Sequence, residues 1–290
     1  MEAFLHQVLS GLASGGIYAS LALALVMIYQ STHHINFAQG EMAMFSTYLA
    51  WALINGGVAY GWAFALTICI SFVAGVVIER VVIRPVENAP VLSVIAVFVA
   101  LLVIFNSVAG WIFTYTIKTF PSPFPEHPLF GNKYVSSHEL GAIGVTLVVL
   151  VVLYVFFRFT PLGLAMRAAA QNPVSSRLVG IRVGWMLALG WGLAAAVGAV
   201  AGMLVAPIIY LEPNMMSGVL LYAFAGALLG GVDNPFGAVF GGFLVGVLEN
   251  LVGAYVIGTE LKLTVALLLI VGVLLVKPTG LFGKVFVTRV

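Results

Sequence analysis

The chain consists of long apolar stretches separated by short breaks that contain Gly, Pro or charged residues. Because a membrane-spanning helix needs about 20 mainly apolar residues, this pattern predicts an all-α, polytopic membrane protein with eight or nine transmembrane helices. The stretch at 216–231 is short and has two interpretations, a tilted crossing helix or a re-entrant half-span. The stretches lie at about 8–30, 37–55, 61–83, 91–113, 140–158, 184–209, 216–231, 236–257 and 261–277.

Composition narrows the class of protein further. Of the 290 residues, 62% are hydrophobic and 8% are charged, and the mean hydropathy is +1.14. A soluble domain usually has about 25% charged residues, so these values exclude a soluble enzyme, a nucleic-acid-binding domain and a disordered regulator. The single cysteine, Cys69, excludes an internal disulfide and a thiolate metal cluster. Residues 1–10 contain no Lys or Arg, unlike a cleaved secretory signal, so the first stretch is predicted to be uncleaved.

The positions of Lys and Arg predict how the stretches are oriented, because positive residues stay on the cytoplasmic side. Alternation between basic and less basic connections places the C-terminus in the cytoplasm and, with nine crossings, the N-terminus outside. Lys118, Lys133 and Lys262 lie in connections assigned to the outer side. The basic residues assigned to the inner side are Arg80, Arg84, Arg158, Arg167, Arg177, Arg182, Lys277, Lys284 and Arg289.

Two connections are long enough to have a role of their own in what is otherwise one transmembrane domain, 1–290. The outer connection, 114–139, is rich in Pro and aromatic residues, so we expect a stiff surface segment that is either a plain connector or a docking surface for an extracytoplasmic partner. The inner connection, 160–183, is broken at Asn172–Pro173 and ends near Gly180. It predicts two short cytoplasmic helices that another protein could move.

Glycine pairs with a four-residue spacing occur in the first stretch and in the last third of the chain. This spacing lets the backbones of two membrane helices approach closely, so the pairs are interpreted as helix-packing contacts. They are Gly11 and Gly15, Gly198 and Gly202, Gly226 and Gly230, Gly237 and Gly241, and Gly242 and Gly246.

Polar residues in apolar surroundings are candidate functional groups, because their burial in lipid is costly. The run HHINFAQGE contains His33, His34, Asn36, Gln39 and Glu41. It is interpreted either as a cap at the inner end of the first helix or as a helix break at depth that offers polar groups to a solute path. A metal site at the two adjacent histidines is disfavoured, because neighbouring side chains on a helix point about 100° apart.

A second polar cluster, Asp233–Asn234–Pro235, lies between glycine-rich stretches and is interpreted as a cytoplasmic turn. Glu249, near the outer end of an apolar stretch, must face a cavity, a partner or a subunit contact. The chain has no recognisable catalytic motif, and Val285 follows Gly280–Lys284 where a phosphate-binding loop needs Ser or Thr. We therefore expect a protein that is not an enzyme and that takes energy for transport from a partner or an ion gradient.

Five separated motifs resemble the permease subunits of ABC importers for branched-chain amino acids, of the LivH type. The resemblance implies a type II-like ABC importer permease fold in the bacterial cytoplasmic (inner) membrane, without a cofactor. The motifs are INFAQGE at 35–41, ERVVIRPV at 79–86, GLAMRAAAQNPVSSRLVGI at 163–181, FAGALLGGVDNPFGAVFGG at 224–242 and LLVKPTGLFGK at 274–284.

The resemblance also implies the partners and the cargo. The chain would be half of a heterodimer with a LivM-type sister permease, served by two cytoplasmic ATP-binding subunits and an extracytoplasmic substrate-binding protein. Its cargo would be branched-chain, hydrophobic amino acids. The alternative is that the same machinery imports urea, short amides or aromatic acids.

Two sets of site residues are expected. The cytoplasmic helix that docks in a groove of the ATPase is implied by the resemblance to contain Arg167, Ala168, Ala170, Asn172 and Gly180. The polar groups that are candidates for the translocation pathway are Asn36, Gln39, Glu41 and Glu249.

Two other classes of function stay open from the sequence. A self-contained carrier or channel could use Glu249 and Asp233 as protonatable groups, and transport by the purified chain without any ATPase would favour it. An intramembrane enzyme could use His33, His34 or Glu41. A hydrolytic activity that is lost on alanine substitution there, while uptake persists, would favour the enzyme.

Overall fold

The computed structural model describes residues 2–32, 34–87, 89–125 and 136–283. In these ranges the chain forms eleven α-helices, and π-helical or 3-10 turns extend α3 and α10 and precede α11. Lys133, Lys284 and Arg289 lie outside the described residues, as do 126–135 of the outer connection. The helices are α1 (Glu2–Thr32), α2 (Gln39–Asn55), α3 (Tyr60–Ile78), α4 (Val91–Phe113), α5 (Ser137–Phe159), α6 (Pro161–Gln171), α7 (Pro173–Leu178), α8 (Val183–Ile209), α9 (Met215–Gly230), α10 (Pro235–Val252) and α11 (Lys262–Val276).

The nine apolar stretches found in the sequence coincide with nine helices, which are α1 to α5 and α8 to α11. Within the described residues, six of these helices are long and apolar enough to cross a membrane: α1, α3, α4, α5, α8 and α10. Helices α2, α9 and α11 have 17, 16 and 15 residues, or about 22–26 Å at about 1.5 Å per residue. The protein is therefore an all-helical, multi-pass membrane protein, and the count of eight or nine crossings stays a prediction.

Helices α1 and α8 form the centre of the bundle. In their most apolar windows, α1 is 89% buried and α8 is 78% buried, whereas α4 and α5 are 17% buried. Helix α1 contacts α5, α8, α9 and α10, and α8 also contacts α2 and α3. Helices α3, α4 and α5 present exposed apolar side chains around this centre, as expected for helices that contact lipid.

Glycines hold α1, α9 and α10 against one another at backbone distance. A Cβ atom added at Gly246 of α10 would collide with the backbone of Gly15 in α1. One added at Gly241 would collide with the carbonyl oxygen of Gly226 in α9. These contacts confirm the packing interpretation of the glycine pairs, because no larger side chain fits between the helices.

Contacts between connections sort the helix ends onto two sides of the bundle. On one side, the Gln30 side-chain nitrogen donates to the Asp233 carbonyl oxygen at 3.0 Å, so the end of α1 lies beside the α9–α10 turn. On the other side, the backbones of Lys118 and Leu211 exchange two hydrogen bonds of 2.9 Å, which join the α4–α5 connection to the α8–α9 connection. Successive long helices thus run in alternating directions, as the sequence predicts.

Basic residues are concentrated on the side that contains the α9–α10 turn, which we call the basic end. Lys118 and Lys262 lie at the opposite end. This separation matches the two groups of basic residues predicted from the sequence. The described basic residues of the basic end are Arg80, Arg84, Arg158, Arg167, Arg177, Arg182 and Lys277.

The predicted pair of short helices, α6 and α7, follows α5 at the basic end. Thr160 ends α5 and caps α6, because its hydroxyl oxygen accepts a hydrogen bond from the Gly163 backbone at 3.0 Å. Asn172 caps α7 in the same way and accepts from the Ser175 backbone at 2.9 Å. Gly180 follows with φ of +86°, a conformation that glycine adopts without strain.

Candidate translocation and coupling sites

The connection between α1 and α2 turns back from the basic end into the interior of the bundle. Helix α1 ends beside Asp233. In contrast, Gln39, the first residue of α2, donates its side-chain N–H to the Ala194 carbonyl oxygen at 3.0 Å, in the middle of α8. Helix α2 therefore begins at depth, which favours a helix break over an end cap as the interpretation of the HHINFAQGE run.

Asn36 shapes the turn that starts α2. Its side-chain oxygen accepts from the Ala38 backbone at 3.0 Å, and its nitrogen lies 3.5 Å from the Gln39 side-chain oxygen. Both Asn36 and Gln39 are fully buried. On the facing helix, a Cβ atom at Gly198 would approach the Gln39 nitrogen to 2.6 Å, so glycine is needed there for the two helices to meet.

Of the two histidines of the same run, only His34 is among the described residues. His33 lies outside the described residues. His34 contacts the Thr32 carbonyl oxygen through its ring Nδ1. In the ranges that the structure describes, no three His, Cys, Asp or Glu side chains are placed to hold a metal ion.

Glu41 is buried in the first turn of α2, with 5% of its surface exposed. The Asn106 side-chain nitrogen lies 3.4 Å from the Glu41 carboxylate, and 3.0 Å from both the Pro213 carbonyl oxygen and the Asn214 side-chain oxygen. We call Glu41, Asn106 and Asn214 the Glu41 group. It joins α2, α4 and the start of α9, and no described cation forms an ion pair with Glu41.

The Glu41 group borders a polar surface at the opposite end. Asn106 is half-buried, and Ser107, Asn214 and Ser217 are exposed. Polar side chains on otherwise apolar helices face protein or water rather than lipid. The group therefore offers a carboxylate and two amides, which suit the ammonium and carboxylate of a zwitterionic solute.

Glu249 makes contacts of a different kind. Its carboxylate accepts a hydrogen bond from the Tyr18 hydroxyl at 2.9 Å and lies 3.9 Å from the Lys262 ammonium. Lys262 also donates to the Asn250 side-chain oxygen at 2.7 Å. Tyr222 stacks on Tyr18 with ring centroids 4.9 Å apart. These five residues, the Glu249 network, join α1, α9, α10 and α11, so Glu249 has different partners from Asn36, Gln39 and Glu41.

The Asp233–Asn234–Pro235 segment is a turn that begins α10. The Asn234 side-chain oxygen accepts from the backbone N–H groups of Phe236 and Gly237 at 3.1 and 3.2 Å. Its side-chain nitrogen donates to the Phe282 carbonyl oxygen at 3.2 Å. These bonds confirm the turn predicted from the sequence and attach the end of the described chain to it.

The five residues predicted to contact an ATPase have unequal surroundings. Asn172 and Gly180 are exposed on α6–α7, and Ala168 is half-buried. Arg167 and Ala170 line a cleft between α6 and the rest of the bundle. The segment thus has one side that faces away from the bundle and another that faces into it.

The outward side of the α6–α7 pair is apolar. Leu164, Val174, Leu178 and Val179 are exposed there, and Leu178 exposes 84% of its surface. Apolar side chains gathered on an exposed segment mark a surface for contact with a protein or a membrane. Sequence reasoning had singled out the polar and small residues of this segment and missed these four.

The ERVVIRPV motif attaches the end of α3 to the start of α8. A π-helical turn, Glu79–Ile83, carries the Arg80 guanidinium to 3.9 Å from the centre of the Trp185 ring. The Arg84 guanidinium packs on Gly184, where a Cβ atom would approach it to 2.5 Å. The motif is therefore part of the packing at the basic end.

The family described as "Branched-chain amino acid transport system / permease component" matches residues 7–274 of this chain. The chain belongs to this family. Among its relatives, the high-affinity branched-chain amino acid transport system permease protein LivH of Escherichia coli (strain K12) is 32% identical over 304 residues. The alignment covers 99% of this chain and 98% of LivH.

Other relatives of the family extend this finding to further organisms. BraD of Pseudomonas aeruginosa, a protein with the same description, is 32% identical and covers 99% of this chain and 98% of BraD. The probable permease LivH of Methanocaldococcus jannaschii is 27% identical, over 91% of this chain and 87% of the relative. The sequence match to the family thus runs through nearly the whole chain.

A solved structure supports the fold. A chain of PsaBC from Streptococcus pneumoniae in complex with Fab aligns with a TM-score of 0.52 at 12% identity, and the alignment covers 93% of this chain and 91% of that chain. The helices of this family member therefore follow an arrangement that is known from experiment.

The sequence alone did not identify several residues that contact Glu41 or Glu249. Asn106 carries a detectable signal, because it is an amide inside the apolar stretch 91–113. Asn214 and Lys262 lie at helix starts, where polar residues are common. Their roles become visible only when helices distant in sequence are placed side by side.

Proposed function

We propose that this chain is the transmembrane permease subunit of an ABC importer and forms half of the translocation pathway for branched-chain amino acids, driven by separate ATP-binding subunits. The observation that carries the proposal is its 32% identity to LivH over 99% of the chain. The matched residues include both the Glu41 group and the α6–α7 pair. The chain itself is not an enzyme in this proposal.

The proposed importer contains a LivM-type sister permease, two cytoplasmic ATP-binding subunits and an extracytoplasmic substrate-binding protein. The relatives are described as permease proteins of transport systems, which supports further subunits. A second permease would cover the exposed polar surface beside Asn106 and Asn214, which includes Ser107 within α4.

The proposed orientation places the basic end in the cytoplasm of a bacterial cell. The charge separation between the two ends supports it, because positive residues are retained on the cytoplasmic side. The proposed fold is type II-like and has eight or nine crossings. The C-terminus is cytoplasmic in this orientation. If the chain crosses nine times, the N-terminus lies outside. The α6–α7 pair is then a cytoplasmic coupling segment, and 114–139 is an outer loop.

In the proposed pathway, Glu41 attracts the ammonium group of the amino acid, and Asn36 and Gln39 hold the buried start of α2 in place. The N-terminus of a helix that begins at depth favours a carboxylate, since its first N–H groups lack partners within the helix. Glu249 receives a structural role instead, because Lys262 and Tyr18 occupy its carboxylate.

Coupling is proposed to run from the α6–α7 pair to the start of α2. The exposed apolar side chains of the pair enter a groove of the ATPase, and Arg167, Ala168, Ala170, Asn172 and Gly180 shape the segment that carries them. Gly163 packs against the Phe156 backbone, so α6 and α5 move together. Helix α8 follows α7 and holds Gln39 through the Ala194 carbonyl. ATP-driven movement of the pair would therefore shift α2.

Uptake by the complete importer in liposomes tests this function. Labelled leucine should enter only when ATP and all subunits are present, and unlabelled leucine, isoleucine and valine should compete while urea and benzoate do not. Competition by urea or benzoate alone would contradict the cargo. Uptake by the purified chain without ATP-binding subunits would contradict the mechanism.

The coupling segment has its own test. Leu178→Glu places a charge on the exposed apolar face of α7 and should lower transport-coupled ATP hydrolysis by about tenfold or more, as expected for the loss of an apolar anchor. Leu281→Glu makes the same change at the basic end but outside the pair, and should keep coupling. Normal coupled hydrolysis in Leu178→Glu would contradict the docking assignment.

A further inference from the structure

A cleft at the basic end has no ligand in the proposed function, although Arg167 and Ala170 of the coupling segment line it. It lies between the ends of α1 and α5, helix α6, the start of α8 and the α9–α10 turn, and its volume is about 1190 Å³. Leu23, Met27, Leu150 and Leu153 form an apolar wall toward the middle of the bundle. The polar residues that line it include Gln30, Arg158, Arg167, Gln171, Asp233 and Asn234.

Two arginines dominate the charge of this cleft. Neither Arg158 nor Arg167 forms an ion pair with a described residue. The Nε atom of Arg167 is buried and has no hydrogen-bond partner in the part of the chain that the structure describes. Asp233 contributes one negative charge, so the lining carries two positive charges against one. A ligand with a single negative charge would balance the cleft and satisfy the buried N–H.

The cleft lies away from the Glu41 group. The Glu41 group lies toward the opposite end on α2, α4 and the start of α9, whereas α5 and α10 flank the cleft, with the central helix α1 between. The nearby surfaces of α5 and α10 expose apolar side chains such as Val151, Val155, Phe236 and Phe240. These exposed apolar side chains beside the cleft are suited to contact with the acyl chains of a lipid.

We propose that this cleft binds an anionic phospholipid from the leaflet at the basic end. The phosphate lies between Arg158 and Arg167, and an acyl chain follows the apolar wall formed by Leu150 and Leu153. Guanidinium groups bind phosphate through paired charge-assisted hydrogen bonds, and basic pockets between membrane helices bind anionic headgroups. Because Arg167 is in α6 and Arg158 is in α5, the lipid joins the two helices.

A branched-chain amino acid fits this cleft less well. It has a carboxylate and an apolar side chain, but its ammonium group neutralises the charge of the carboxylate. The net positive charge of the cleft lining would therefore stay unbalanced. It also fills only a small part of the 1190 Å³ volume. A singly charged phospholipid matches the charge, the apolar wall and the position beside the membrane.

Lipid retention by the full chain, purified with its partner subunits, tests the proposal. The complex is given equal amounts of phosphatidylglycerol and phosphatidylcholine with identical acyl chains, and bound lipid is counted by native mass spectrometry. Wild-type protein should retain phosphatidylglycerol about fivefold more than phosphatidylcholine. The double variant Arg158→Gln/Arg167→Gln should lose this preference, and Arg158→Lys/Arg167→Lys should keep part of it.

The matched control is Arg177→Gln/Arg182→Gln, which removes the same charge from two exposed positions at the same end and should keep the preference. Equal retention of both lipids by wild-type protein would overturn the proposal, as would an unchanged preference in the Arg158/Arg167 glutamine variant. Displacement of the lipid by millimolar inorganic phosphate would indicate a free-anion site instead, and displacement by leucine would indicate a substrate site. Either displacement overturns the lipid assignment, whereas the uptake experiment tests the importer function separately.

Discussion

Two buried carboxylates in the bundle have opposite surroundings. Glu249 is 7% exposed, accepts a hydrogen bond from Tyr18 and pairs with Lys262, and its network joins four helices. Glu41 is 5% exposed, and its described side-chain partner is the amide of Asn106 at 3.4 Å. In one region a cation of the protein balances the charge. In the other region, no described cation balances the charge of Glu41.

We propose that this difference separates a structural charge at Glu249 from a functional one at Glu41. A buried ion pair with its hydrogen bonds in place holds its helices in a fixed relation, whereas a buried carboxylate without a cation is ready for one supplied by a ligand. Glycine contacts hold α1 against α10 next to Glu249, while Glu41 borders the exposed polar surface next to Asn106.

The largest expected effect is loss of the packing that supports the Glu249 network. Gly246→Val would place side-chain atoms on the backbone of Gly15 and separate α10 from α1. We expect a destabilisation of about 3 kcal/mol or more, measured as lost monodisperse protein and a lowered unfolding temperature in detergent. Gly144→Val is the control, since a Cβ atom there has no neighbour within 4 Å. Equal yields of the two variants would contradict the close packing.

The next effect tests the ion pair itself. Glu249→Ala removes the carboxylate and leaves Lys262 without its anion, which should destabilise the bundle by about 2–3 kcal/mol, less than for a fully buried pair because Lys262 is partly exposed. Thermal unfolding in detergent measures this. The double variant Glu249→Gln/Lys262→Met removes both charges and should recover most of the loss. If the double variant is no more stable than the single one, the pair is not what holds these helices.

The sequence predicts most of the fold because membrane helices obey a strong length rule. All nine apolar stretches became helices, and 216–231 became the short helix α9. The break at Asn172–Pro173 and the glycine contacts were also predictable, since each depends on local backbone chemistry. The number of crossings is harder to predict, because helices of 15–17 residues can be placed in the membrane in more than one way.

The candidate site was predictable only in part. The sequence pointed to Glu41 and Glu249 equally, since each is an acid in an apolar run. Their partners depend on how helices rotate and pack. Asn106 lies 65 residues from Glu41, and Tyr18 lies 231 residues from Glu249. A hydropathy pattern carries no information on such pairings, so it could not distinguish a neutralised carboxylate from an available one.

The smallest expected effect leaves the fold intact and changes only transport. Glu41→Gln keeps the shape of the side chain and a hydrogen-bonding group for Asn106 but removes the charge that would attract the ammonium of the substrate. Uptake of leucine by the complete importer should fall about tenfold, or about 1.4 kcal/mol, with an unchanged unfolding temperature. Glu87→Gln removes a charge from an exposed acid near the basic end and should transport normally. Full uptake in Glu41→Gln would mean that the available carboxylate does not contact the cargo, and the functional contrast with Glu249 would then be lost.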